Sequence, residues 1–213
     1  MLASFPHHAK RDRTMQNTLR TWISPEWISR ALLPMALLTM SALAMPSHAA
    51  SSEASGDGQH DFDWEIGTWK TELRRLAKPL SGSSEWIEYT GTSVVRKVLD
   101  GRANLVELRV QSHVGRIEGM SLRLYNPRTR QWSLNYASVH GGAMTRPVHG
   151  GFREGRGEFF GQDELDGRAV FVRFVISGIT SDSVRFEQAF SEDGGRTWET
   201  NWIAVDTRIK DAD

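Results

Sequence analysis

Four histidines, His60, His113, His140 and His149, are the side chains best suited to proton transfer or metal binding once the first 49 residues are set aside. Imidazole is the group that changes charge near neutrality. His140 precedes Gly141-Gly142 and His149 precedes Gly150-Gly151, so the two flank one loop if their strands pair. With Tyr136, which shares the parity of His140, they form a candidate acid–base set, and the same pair could hold haem or a metal. No pair has metal-ligand spacing on a helix or a tight hairpin. No metal and no cofactor is therefore expected, and two loop-end histidines in water is the simpler reading. Ser133, Ser138 and Ser177 lack a Gly-x-Ser-x-Gly elbow. Glu187 and Glu199 could be a carboxylate pair, but their parity places them outside, as solvated partners of Arg173 and Arg185. Gly150-Gly151 has no strand–loop–helix context for a phosphate.

The chain has no cysteine, which removes disulfides, thiolate metal sites, cysteine nucleophiles and a lipidated cysteine. Residues 1–49 read apart from the rest. Lys10, Arg11, Arg13, Arg20 and Arg30 precede fifteen almost wholly apolar residues, Ala31 to Met45, followed by Pro46 and the small-x-small pattern Ser47-His48-Ala49. This is the order of a secretory signal peptide, and the run is short of the roughly 20 residues of a membrane span. Met15 is an alternative start. Cleavage after Ala49 would leave 164 residues. Five of the 26 basic and two of the 26 acidic residues fall in the leader, so the remainder carries −3. Such a balance gives no footprint for nucleic acid or anionic lipid. The expected location is exported, periplasmic or extracellular, with no membrane span after leader cleavage.

Residues 50–60 contain a Ser/Gly/Asp-rich tether. Residues 61–210 form the domain. β-branched and aromatic alternation predicts ten strands, at 68–76, 86–95, 103–112, 116–125, 131–138, 146–152, 156–162, 169–179, 183–190 and 198–207. Asp100-Gly101, Asn126-Pro127, Glu154-Gly155, Asp166-Gly167 and Asp193-Gly194-Gly195 supply turns between them. Short hairpins joining neighbours mean one up-and-down antiparallel barrel, preceded by a short helical plug within His60 to Ile66.

Period-2 alternation divides the strands into faces. Trp132, Leu134, Tyr136 and Ser138 share one side, as do Val170, Val172, Phe174 and Ile176, then Val184, Phe186, Gln188 and Phe190, then Trp198, Thr200, Trp202 and Ala204. This side is assigned to the lumen, and the Arg- and Glu-bearing side to solvent. A bulge would flip the assignment locally. Ten strands enclose room for a ligand.

Gly67-x-Trp69 at the entrance of the first strand resembles the signature of lipocalins and their calycin relatives. That resemblance implies that Trp69 plugs one end of the barrel, with an arginine of the last strand, here Arg208, over its ring. A wider set of segments is similar to a bacterial lipocalin-like family catalogued as a domain of unknown function, DUF1579. They are Phe62-Asp63-Trp64 to Trp69, Leu122 to Pro127 with Gln131-Trp132-Ser133, Gly157 to Phe160, and Phe186 to Ser191 with Asp193 to Trp202. The likeness covers roughly residues 60 to 208 and implies a fold but no activity. Ser191-x-Asp193-x-Gly195-x-Thr197-Trp198 also resembles the Asp-box of sialidases, which implies a hairpin staple and not a catalytic site.

The first expectation is thus a lumen that binds a small, largely apolar molecule, with Trp132, Tyr136, Ser138, His140, Phe174, Phe186, Gln188, Thr200 and Trp202 as candidate contacts. An isomerase, lyase or hydrolase built on His140 with Tyr136 or His149 is the second. A module that binds envelope partners through its outer face, at Arg173 or Glu187, is the third.

Overall fold

The computed structural model describes residues 57–211; the leader lies outside them. Ten strands follow one another in the order β1 (Gly67–Leu76), β2 (Trp86–Val98), β3 (Ala103–Ser112), β4 (Gly115–Asn126), β5 (Gln131–Ser138), β6 (Val148–Arg153), β7 (Arg156–Leu165), β8 (Arg168–Ser177), β9 (Ser183–Ser191) and β10 (Glu199–Asp211). Each pairs antiparallel with its neighbour in sequence, and β1 pairs with β10 to close the barrel. This is the up-and-down barrel expected, and closure leaves no sheet edge to cover. The strand limits differ from the sequence reading by a few residues for local reasons. β6 begins at Val148, after Pro147, which has no N–H for the ladder. β10 runs past Thr207 because it has Gly67 and Thr68 to pair with.

The meander sorts the connections onto two ends. The segments 98–103, 126–131, 153–156 and 177–183 lie at the end where β1 begins, and the segments 76–86, 112–115, 138–148, 165–168 and 191–199 lie at the other. The first end is closed. A 3-10 turn at Asp63–Glu65, shorter than the helical plug expected, enters it just before β1. Gly67 then takes φ +138°, a region costly for any side chain, and this lets the chain swing from the plug into the strand. Phe62 is fully buried there, edge-on to Trp132 and to Phe152 with centroids 4.9 Å away in each case. Phe159 closes the same cluster.

Trp69 is inaccessible, and the Arg208 guanidinium carbon sits 4.0 Å from its ring centroid. This is the stacking that the Gly67-x-Trp69 resemblance implied. The indole Nε1 donates to the Glu65 carbonyl at 2.7 Å, and Arg208 donates to the carbonyls of Ser181, Ile66 and Trp64. One guanidinium therefore ties the plug, the 177–183 hairpin and β10 together.

The hairpin from β9 to β10 folds as the Asp-box resemblance implies. Asp193 accepts bonds from the Thr197 and Arg196 amides and from the Thr197 and Ser191 hydroxyls. Those donors, the Thr197 amide first, hold its carboxyl well below the usual carboxylate range.

Candidate functional site

Register places the inner face unambiguously. Trp69, Thr71, Leu73 and Arg75 of β1 lie beside Ser93, Gly91, Tyr89 and Ile87 of β2, and that row continues strand by strand around the barrel. The inner face has two levels of different character.

Near the closed end lies a polar belt that alternation of apolar residues does not announce. Arg123 of β4 points inward, is buried, and makes a two-point pair with the Glu65 carboxylate of the plug. It also lies 4.4 Å over the Phe62 ring. Asn104, the register partner of Arg123, is buried beside it. Asp206 of β10 is buried next to Thr71, whose hydroxyl lies 2.7 Å from that of Ser93. Burial pushes the Asp206 carboxyl up to about 6, while bonds from Thr71 and Ser93 and the charge of Arg123 work the other way. Burial also weakens the hold of Arg123 on its proton, and Asp206 opposes that loss.

Asp206 yields a prediction with a definite sign. Its folded value, about 6, lies above the ordinary 3.8. Between those values the native state binds more protons than the unfolded chain, so this group's contribution to stability is lost as pH rises through that window. Two units correspond to about 3 kcal/mol as an order of magnitude. Asp206→Asn should raise stability at pH 7.5 by ~1–3 kcal/mol and flatten the profile between pH 4 and 6. Urea midpoints at pH 4.5 and 7.5 measure this, and parallel profiles for the two proteins would contradict it.

The level toward the other end is different. Ile87, Leu108, Ile117, Phe174, Phe190 and Trp202 all face the barrel axis, yet each keeps partial exposure. Solvent therefore reaches part of the inner wall at this end, although Val110, Val170 and Val172 beside it are buried. Phe174 stacks against Phe186 at 6.1 Å, and Gln188 lies between Phe174 and Trp202 in the ladder. The polar members of the wall include Arg75, Tyr136, Gln188 and Asn201, with the carboxylates of Asp163, opposite Val170, and Glu199, opposite Phe190, toward its edge. Burial raises the Tyr136 phenol above its ordinary value, with Arg75 partly offsetting it, so the phenol remains a neutral donor.

The residues singled out from the sequence separate accordingly. Tyr136, Phe174, Phe186, Gln188 and Trp202 line the lumen as alternation requires. Trp132 also faces inward, but it is buried at the closed end with its Nε1 on the Gly58 carbonyl. Ser138 accepts from the Gly141 amide and so holds the turn that follows β5. Thr200 is a correction. A bulge shifts the β9–β10 register between Thr200 and Trp202, so Thr200 pairs with Ala189 while Trp202 pairs with Gln188. Thr200 then lines a shallow outer depression of about 80 Å³ with Arg156, Arg173, Val175, Glu187 and Ala189. Trp198 turns outward with it, 4.8 Å beneath the Arg173 guanidinium. Asn201, the extra residue, turns inward instead, only 2% exposed, and accepts from Gln188 Nε2 at 3.0 Å.

The histidine pairing is also corrected. His149 pairs in register with Ser133 and Phe160, which places it on the outer face, and it is exposed. His140 sits in the exposed turn after β5. They do not share the lumen, so no acid–base pair with Tyr136 is assembled there. Among the described residues no group of three His, Cys, Asp or Glu side chains could hold a metal. On the outer face Glu187 pairs with Arg185 at 2.8 Å, as expected. Glu199 is a further correction: the same bulge sets it opposite the inward-facing Phe190, where it accepts from the Leu80 amide at 2.6 Å and anchors the loop after β1. Arg173 stacks on Trp198 in place of pairing with a carboxylate.

No protein-family model and no curated protein sequence matches the chain. Solved structures do. An S-type phycobiliprotein lyase from Guillardia theta superposes with a TM-score of 0.50 at 14% identity, over 72% of this chain and 93% of that one. A de novo designed fluorescence-activating β-barrel has a TM-score of 0.39 at 14% identity, over 69% and 95% of the two chains. At such identity the first likeness establishes the barrel architecture. Among the described residues no helix is long and apolar enough to cross a membrane.

Proposed function

We propose that this chain is an exported lipocalin-like protein of the DUF1579 type that takes a small, largely apolar molecule into the open end of its barrel. One observation carries the reading: Leu108, Ile117, Phe174, Phe190 and Trp202 point at the barrel axis but remain partly open to solvent. Apolar area left wet in a concave wall is area that a ligand can remove from water, at about 25 cal/mol per Å². The neighbouring lyase is a barrel named for phycobiliproteins, and its fold accords with use of the interior. Export rests on the leader alone, which ends in Ser47-His48-Ala49. An N-terminus at Ala50 in protein recovered from outside the cytoplasm would match it.

The test uses a neutral hydrophobic fluorophore, N-phenyl-1-naphthylamine, titrated into the protein. Trp202→Ala should weaken its capture about tenfold, since an indole in contact contributes on the order of 1–3 kcal/mol. Phe160→Ala, on the outer face, should leave it unchanged. A probe that does not bind, or that binds Trp202→Ala as tightly as the parent, would remove the reading. Native mass spectrometry of protein from its own host would then identify the natural occupant.

A further inference from the structure

The end of the barrel opposite the plug carries hydrogen-bond donors without acceptors. Arg75 is the inner-face neighbour of Trp202 on β10 and of Ile87 on β2. Its sequence neighbour Arg74 faces outward and stacks on Trp86 at 5.1 Å. Most arginines along the outer strands sit against a glutamate, as in the Arg156–Glu158 and Arg168–Glu192 pairs. Among the described residues Arg75 has no carboxylate within ion-pair distance and no hydrogen bond. Tyr136 stands on β5, four strands from β1 around the barrel, yet its phenol feels the Arg75 charge. Both positions face the lumen.

Tyr136 is held in place. A Cβ on Gly119, the neighbouring inner position of β4, would lie 2.5 Å from the phenol oxygen. Only glycine leaves room for the hydroxyl to lie there. That hydroxyl makes no hydrogen bond within the described residues. Asn201 adds a third donor: it is buried, its Oδ1 is taken by Gln188, and its Nδ2 has no partner. One cation and two neutral donors, none with an acceptor of its own, are complementary to an anionic acceptor. Among the described residues no carboxylate lies within ion-pair distance of Arg75: of the inward-facing carboxylates at this end, Glu199 accepts from the Leu80 amide and Asp163 from the Glu164 amide, whereas Glu65 answers Arg123 at the closed end.

We infer that the rim is an oxyanion seat, and that the lumen takes an amphiphile whose polar end is a carboxylate, held by Arg75 with Tyr136 as second donor. This rests on the lumen-binding reading and names the class of its ligand. The planar fork of a guanidinium matches a carboxylate in two parallel bonds. A single positive charge balances a monoanion, where a phosphate dianion asks for more. The apolar body lies against Phe174, Phe190 and Trp202, and the head stays at the mouth, where its residual hydration costs least.

Calorimetric titration of the full chain with decanoate, decan-1-ol and decyltrimethylammonium separates head group from tail. Decanoate should bind about tenfold or more tighter than the alcohol, as a charge-assisted pair implies, and the cation most weakly. Arg75→Gln should bring decanoate to the level of the alcohol without changing the alcohol itself. Arg75→Glu should move the preference to decyltrimethylammonium, and Tyr136→Phe should weaken decanoate alone, by several-fold. Arg74→Gln is the control and should change nothing. Equal binding of decanoate and decanol overturns the seat while leaving the lumen reading intact, and so does a preference that survives Arg75→Gln. Failure of all three ligands to bind removes both.

Discussion

Glu65→Gln is expected to destabilise the protein by about 3–5 kcal/mol, the range for a buried ion pair that loses one partner. The substitution is nearly isosteric, so the effect isolates charge. The Arg123 guanidinium is within 5% of complete burial, and Glu65 supplies both of the acceptors that it meets at its two terminal nitrogens. With Glu65 neutral, a cation remains in a site lined by Phe62 and Asn104. Asp206 is then the remaining charge to answer it, and burial makes that charge costly to keep. The companion experiment is Glu65→Leu with Arg123→Met. Replacing both charges by apolar groups of similar volume is often neutral or better, so the double variant should recover most of the loss. Urea unfolding followed by tryptophan fluorescence measures both. A single variant within 1 kcal/mol of the parent would mean that the pair does not anchor the plug.

The plug and β4 are separated by 58 residues, and this explains why their pairing was not legible. Much of the fold was. Strand number, order and hairpin positions follow from local signals, because each connection is a turn and each partner is the next strand. The faces of β8 and β9 follow from parity, since Val170, Val172, Val184 and Phe186 are all apolar and all buried. Parity fails where the inner face stops being apolar. In Leu122-Arg123-Leu124 the leucines invite the inward assignment, yet Arg123 is buried and Leu124 is 37% exposed. The usable signal was in the flanks: Gly119, Ser121, Arg123 and Tyr125 share a parity that leads to Trp132 in the next strand.

The candidate site was legible to the same extent and for the same reasons. Tyr136, Phe174, Gln188 and Trp202 came from alternation. Thr200 was misplaced by one inserted residue, Asn201, since a bulge moves every side chain before it to the opposite face. Arg75 was passed over as one of two adjacent arginines, although counting from Trp69 by twos reaches it directly. His140 and His149 drew attention through residue type, but type carries no information on facing, and the register puts His149 outside.

Trp69→Ala should cost as much as the loss of the ion pair, about 3–5 kcal/mol, and for a different reason. The indole is inaccessible, so its removal forfeits the transfer of a large apolar surface and leaves a cavity that the barrel wall cannot collapse to fill. It also leaves the Glu65 carbonyl without its donor at 2.7 Å, and the Arg208 guanidinium without the ring 4.0 Å below it. Trp69→Phe keeps most of the apolar volume while losing the N–H donor, and should fall between. Arg208→Lys distinguishes stacking from charge. Lysine retains the cation but not the fork that reaches three carbonyls in two separate segments, so it should lose about 2–3 kcal/mol. A thermal or urea double-mutant cycle on Trp69→Ala and Arg208→Ala should return a coupling of about 1–2 kcal/mol, as direct contact between ring and cation requires. A coupling near zero would show that Arg208 holds the carbonyls of Ser181, Ile66 and Trp64 independently of the indole. Closure of the barrel's end would then be a matter of backbone bonds, and the Gly67-x-Trp69 signature would reduce to core packing.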